Sequence, residues 1–329
     1  MIISIDTECD KGPHWKIKRP LSFRNVTEGI PQRLSAIFDE FRIKPTYLIS
    51  PEVLADADSV RLLQSMQGKG ELGTHMHGEF IEPHSNWDTI RTDSFQGDFS
   101  AEIEFQKIKN LTKLFENQFG FRPKSFRAGR FGLSRYTLLF LEKLGYIVDS
   151  SVTPYLWWWR RKGEGVNYLG ASRQPYFPSL KDFRRSGKMN ILEVPISIIN
   201  PFWEKLPSYL IRNINPHNRT QTILLNIFMK KKLRSVWLRP TFSATEQMLF
   251  VTNWIIKRTN GAAPLLNMMF HSNEVTPGTS PYNSSENDVN NFLDRLRKYF
   301  RALFSKYDVH SIGLSEATRL IKKQYEDKS

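Results

Sequence analysis

Cysteine is almost absent: Cys9 is the only one in 329 residues. A lone thiol closes no intramolecular disulfide and builds no multi-cysteine zinc cluster, so any metal must rest on histidine, aspartate or glutamate. Long apolar runs are missing as well. The most apolar stretches, residues 222–229 and 265–270, fall well short of the roughly 18 residues a membrane span requires. The opening MIISIDTECD has neither a basic leader nor a long apolar run, which sets the expectation of a cytoplasmic location. Acid is in deficit, and the net charge of +14 favours an anionic partner: phosphate, a membrane surface or nucleic acid. With 40% hydrophobic and 13% aromatic residues, and neither repeats nor low-complexity tracts, the chain has the material for a large folded core.

Short runs rich in β-branched or aromatic residues recur at 2–5, 45–49, 72–75, 125–127, 146–148, 191–195, 265–270 and 309–313, and these are the expected strands. Between most of them lie stretches of helical period at 26–41, 53–68, 101–119, 133–144, 245–259 and 289–306. Such alternation predicts a mostly parallel sheet, and about eight strands would allow it to close into a barrel with functional residues at the strands' carboxyl ends. Two segments break the pattern. Residues 79–99 are polar and read as a long surface loop, and residues 157–240, within a span of about 155–240, read as an irregular aromatic and basic insertion on a single domain covering 1–329. That insertion contains Trp157-Trp158-Trp159-Arg160-Arg161-Lys162, Lys230-Lys231-Lys232, Trp237 and Arg239.

Candidate chemistry collects at the strand ends. Asp6, Glu8 and Asp10 crowd the exit of the first strand. His75 and His77 sit two apart, so an extended backbone points both imidazoles to one side, a pattern that suits a metal if Glu8 or Asp10 supplies a third ligand. Arg127 and Arg130, with glycines around them, mark a strand-to-helix junction; Asp149 follows the next strand, and His271 ends a later one, in Met268-Met269-Phe270-His271-Ser272-Asn273-Glu274. Each feature alone is ordinary. Their concurrence at successive strand ends is not.

In this order the residues resemble the polysaccharide deacetylase family, also called NodB-homology or carbohydrate esterase family 4 proteins, over roughly residues 1–313. The resemblance implies a distorted (β/α) barrel and removal of an acyl group, N-acetyl foremost, from an amino sugar of a glycan or glycan precursor. It casts Asp6 as catalytic base, Glu8, His75 and His77 as ligands of a divalent metal with zinc the expected ion, and His271 as catalytic acid. Arg127 would orient the base, and Asp149 matches the acid of the following motif. Two departures stand out: Thr7 separates Asp6 from the next acid where the family has adjacent aspartates, and the histidines are two apart instead of four.

Arg130 and Trp158 are expected substrate contacts, and a carbohydrate, phosphate- or lipid-linked, is the expected partner. The segment at 157–162 reads either as peripheral contact with the inner face of a membrane or as a lid of half-buried tryptophans. Three rival readings stay open. A metal-free glycan-binding member of the fold would suit the altered motifs. A nucleic-acid-binding protein would suit the charge, but the basic residues are dispersed and no recognition motif is evident. A glycoside hydrolase could use Asp6 and Asp149 as its carboxylate pair, leaving His75 and His77 without a task. Cys9 reads as small buried packing, and His14, His84, His217 and His310 as ordinary.

Overall fold

The computed structural model describes residues 1–158, 165–215, 218, 220–221, 235–259 and 264–326. Its centre is a curled sheet of seven strands: β1 (Ile2–Thr7), β2 (Thr46–Ile49), β3 (Glu71–Met76), β4 (Ser125–Ala128), β5 (Val148–Asp149), β6 (Leu192–Glu193) and β7 (Asn267–His271). Their spatial order is β7-β1-β2-β3-β4-β5-β6, and every pairing is parallel. Strands buried on both faces read as continuous apolar runs. β1 meets that description with Ile2, Ile3 and Ile5 fully buried, and only Ser4 and Asp6 interrupt it on the inner side.

Helices cover the outer face. The amphipathic helix Ala101–Phe119 is capped by Ser100, whose hydroxyl accepts from Ile103 N–H at 3.3 Å. It stops at Gly120 (φ +76), a left-handed position that favours glycine. Glu286–Lys306 starts at Ser285 in the same way, and between them these helices bury Ile108, Leu111, Phe115, Val289, Phe292, Leu296 and Phe300. The expected helix at 53–68 is broken into Pro51–Leu54 and Ala57–Ser65, because Asp56 caps the second piece by accepting from Ser59 N–H at 2.8 Å. Leu314–Glu326 is a helix that the periodicity did not reveal.

The expected strand at 309–313 does not form. β1 is already flanked by β7 and β2, so this segment has no edge to join: Ile312 N–H donates to O of Met1, just before β1, at 3.0 Å, Ser311 Oγ accepts from Lys44 N–H at 2.9 Å, and the chain then turns into the last helix. The sheet closes instead through residues beyond β6. Ser197 N–H donates to Asn267 O at 3.0 Å, and Asn267 N–H donates to Ser197 Oγ at 2.8 Å. Leu238 then bridges Ser197 and Met269. The result is the expected distorted (β/α) barrel, closed by isolated bonds where a regular barrel has a ladder. No described helix is long and apolar enough to cross a membrane.

Candidate active site

Strand parity and register assemble the site. β1 pairs with β7 so that Asp6 lies beside His271, and β3 pairs with β4 so that His75 lies beside Arg127. Glu8, two residues past Asp6, keeps the inward direction. His77 is still extended (φ −99, ψ 101) and keeps that of His75. Glu8 Oε1 therefore meets His75 Nε2 at 3.0 Å and His77 Nε2 at 2.7 Å, and one ligand atom from each residue lies within 4.8 Å of the others. All three are at most 3% exposed.

Two neighbours decide how this trio is poised. His75 Nδ1 donates to Arg127 O at 3.1 Å, which fixes the proton there and leaves the Nε2 lone pair free toward the group. Lys11, itself buried, pairs its ammonium with Glu8 Oε2, leaving Oε1 for the histidines. Burial alone would push the Glu8 carboxyl up, but Lys11, then His77 and His75, hold it well below the usual range. The same opposition acts on His75, whose burial favours the neutral ring while Asp6 and Glu8 pull its pKa up. A divalent cation suits this donor set. Two imidazoles and one carboxylate form a catalytic zinc set with a position to spare. Asp10 stands apart, its carboxylate accepting from Ser22 Oγ at 2.6 Å and from Asn25 Nδ2 at 2.6 Å.

Beside the trio, Asp6 Oδ2 lies 3.9 Å from His75 Nε2 and 3.8 Å from His271 Nε2. Its other oxygen accepts from Arg127 at 2.5 Å. Arg127 is fully buried and also donates to Ser4 Oγ (2.7 Å), Ser150 O (2.7 Å) and Ser150 Oγ (2.9 Å), so its planar fork is locked. Burial raises the Asp6 carboxyl; Arg127 foremost, with His75 and His271, brings it below its ordinary value. His271 in turn is oriented by Glu274, whose Oε1 accepts from Nδ1 at 2.8 Å and from the His271 N–H at 3.1 Å. Buried Arg239 and Thr241 both donate to Glu274. Burial pushes the Glu274 carboxyl up, and Arg239 and His271 bring it below the usual range. Lys11, Arg239 and Glu274 were not singled out from sequence. Their signals were Lys11 three residues after Glu8, and the acid three residues after His271.

Asp149 is not brought to this group. It sits level with Phe126 on β4, so it faces the side opposite Arg127, and Ser150 takes the inward position. Its oxygens accept from Ser151 (2.7 and 3.1 Å), and it shares a fully buried pocket with Glu193, its register partner on β6. Burial raises both carboxyls, Glu193 far above its usual value. Arg130 lies at the rim, donating to Thr92 O at 2.5 Å. Trp158 stacks on Phe131 with ring centres 5.4 Å apart, and its indole donates to Thr153 Oγ1. Phe131 continues through Trp237, Phe242 and Tyr282 to Trp15, whose ring lies 4.9 Å from that of His271, so an aromatic arc runs from Trp158 to the site. Residues 159–162, 217 and 230–232 lie outside the described residues. Cys9 is buried with Ile17 and Phe80, as its packing role requires, and burial, then Glu52, push its thiol well up.

No protein-family model and no curated protein matches the chain. Solved structures do. A "putative polysaccharide deacetylase" from Mycobacterium smegmatis aligns over 92% of this chain and 79% of its own, with TM-score 0.52 and 15% identity. A 4-alpha-glucanotransferase from Thermococcus litoralis aligns over 96% of this chain and 40% of its own (TM-score 0.50, 12% identity). A GH57 branching enzyme from Thermococcus kodakaraensis aligns over 96% and 70% (TM-score 0.50, 11% identity). At these identities the likeness is one of fold, and it joins two chemistries, deacylation and glycosyl transfer, on one barrel.

Proposed function

We propose that the protein is a metal-dependent hydrolase that removes an acyl group, N-acetyl foremost, from an amino sugar. The observation that carries this is the convergence of Glu8, His75 and His77 on one point, with the Arg127-held Asp6 and the Glu274-held His271 flanking it. A divalent cation bound there, zinc being the ion we favour, would supply Lewis acidity to the amide carbonyl and to an attacking water.

The chain's own groups supply the proton traffic. Asp6 is the base: held ionised by Arg127, it accepts a proton from water lying between its Oδ2 and the trio. His271 is the acid, presenting Nε2 while Nδ1 stays committed to Glu274, and it gives its proton to the departing amine. Positioned acid and base catalysis contributes roughly 10²–10⁴ each. The aromatic arc from Trp15 to Trp158 offers flat faces to a sugar, and its floor, Trp237 and Phe131, is buried. A glycosidic mechanism is less well supported. Its second carboxylate would be Asp149, which is fully buried, turned away and bonded to Ser151.

Metal content and release of free amine from an N-acetylated oligosaccharide test the assignment together. His75→Ala is expected to lose both. Full turnover in that variant, or in exhaustively chelated wild type, overturns the metal-dependent reading.

A further inference from the structure

A cavity of about 540 Å³ shares no residue with the site above. Its lining is strongly cationic: Arg173, Arg184, Arg185 and Arg212 face it with one carboxylate, Glu204. Glu204 is already engaged. Its Oε2 takes Arg173 at 3.1 Å and the Trp254 indole at 2.6 Å, and its Oε1 takes the Tyr155 hydroxyl at 3.2 Å. Arg184 is forked onto Asp182 at 2.9 and 3.1 Å. Arg212 donates only to neutral acceptors, Gly170 O at 3.0 Å and Ser208 Oγ at 3.1 Å, with Asp182 in electrostatic reach but already forked by Arg184, and among the described residues no carboxylate makes a direct ion pair with Arg185 or Arg212. The buried Nε of Arg173 has no hydrogen-bond partner among those residues either.

Four guanidiniums line this concavity with only two carboxylates beside them, Glu204 and Asp182, and an excess of such planar forks suits phosphate oxygens. The wall is shaped for Arg212: Gly170 has φ +75, and a Cβ there would fall 2.5 Å from Arg212 Cγ and 2.7 Å from Ser208 O. The rim is apolar. Leu206, which lines the cavity, is 40% exposed, and Tyr209 and Leu210, on the short helix that also supplies Arg212, are 59% and 49% exposed.

We propose that this cavity binds a phosphate-bearing ligand, its phosphate groups held by Arg173, Arg185 and Arg212. The phosphate has two conceivable sources, a soluble phosphate ester or a lipid headgroup whose chain meets Leu206 and Leu210. The proposal does not depend on the deacylase reading, since no residue of the catalytic group takes part.

The test is calorimetric titration of the full chain, chelator-treated so that no metal competes, with inorganic pyrophosphate. Binding is expected in the wild type and in His271→Ala, and about tenfold or more weaker in Arg212→Gln and in the surface variant Arg185→Glu. No binding by the wild type, equal affinity in both folded arginine variants, or loss of binding in His271→Ala overturns it. Flotation with phosphatidic acid vesicles separates the sources. Flotation of the wild type but not of a Leu206→Asp/Leu210→Asp variant supports a lipid headgroup, and pyrophosphate binding without flotation supports a soluble phosphate.

Discussion

Replacing Arg127 by methionine keeps most of the side chain's volume and removes every donor. Four hydrogen bonds go with it: to Asp6, to Ser4, and two to Ser150. Breaking a fully buried ion pair by removing one partner costs about 3–5 kcal/mol, because the remaining charge keeps its desolvation penalty. Asp6 is 2% exposed, so that penalty applies to it in full. The sign with pH follows from Asp6. Its folded-state pKa is depressed, so the stability it contributes is present above the unfolded carboxylate range and is lost as pH falls through the folded value. The deficit of Arg127→Met relative to wild type is therefore largest at neutral pH and narrows in acid. Without the guanidinium, burial governs Asp6 and its pKa rises, so the base is protonated over more of the pH range. The acid limb of the kcat/KM profile should move to higher pH and turnover at neutrality should fall on the order of 10²–10⁴-fold. Arg127→Lys, which retains a charge but not the fork, should lie between. The assay is amine release across pH, below the variant's melting temperature and with metal content confirmed. An unshifted acid limb in a folded, metal-loaded Arg127→Met would refute Asp6 as the base.

Glu274→Gln should lower kcat by about 10²-fold or more with little change in KM, since it unseats His271 without touching the sugar-facing arc; an unchanged kcat would remove Glu274 from the acid's support. Gly129→Ala would put a methyl 2.5 Å from Met76 O and 3.0 Å from His77 Nδ1, so the end of β3 and His77 must shift and metal content per folded chain should drop; full metal loading in a folded variant would argue that His77 is no ligand. Glu104, buried under the hydroxyls of Ser134 and Thr137, has its pKa raised by burial from 4.5 to about 7. A raised carboxyl destabilises the fold only once it must ionise, so the penalty is absent below the unfolded value and grows to about 3 kcal/mol as pH rises through 7. Glu104→Gln should remove that slope in urea unfolding measured across pH, and an identical slope in the variant would show Glu104 to be unstrained.

Strand parity is what made the site legible in the sequence. It put His75 and His77 on one side and so marked them as a candidate pair of metal ligands; the acids Asp6, Glu8 and Asp10 drew notice by crowding the exit of β1, and the resemblance supplied the roles. Parity could not choose between Glu8 and Asp10, because the choice depends on where β1 stops. The sheet pairing ends at Thr7, Glu8 still points inward just beyond it, and Ser22 and Asn25 capture Asp10. Parity also explains Asp149. The residue stands at a strand end, as the resemblance required, but its register partner is Phe126 and not Arg127, and a pairing offset is invisible in one sequence. Lys11 and Arg239 were passed over for a different reason: both are buried charges, and composition places lysine and arginine on the surface unless a buried partner is known. The spurious strand at 309–313 was apolar and β-branched enough, but had no free edge to join.

The Arg127–Asp6 bond ties the site to the curvature of the sheet. β2 and β3 lie between the strands that carry these two residues. In a flat sheet, neighbouring strands are about 4.8 Å apart, so β1 and β4 would be about 14 Å apart, farther than an arginine side chain extends. His75 and Asp6, two strands apart, would be about 10 Å apart, yet they come within 3.9 Å. The Arg127 contact requires the sheet to curl, and the curled sheet closes through Ser197, Asn267 and Leu238. Those closing residues touch neither Asp6 nor the trio by any described hydrogen bond, but Asn267 holds Ser4 and Ser150, the same two hydroxyls that fix Arg127. Barrel closure and the orientation of the base thus pass through one buried polar cluster, and a cavity cut at Asn267 would reach the chemistry by way of Arg127.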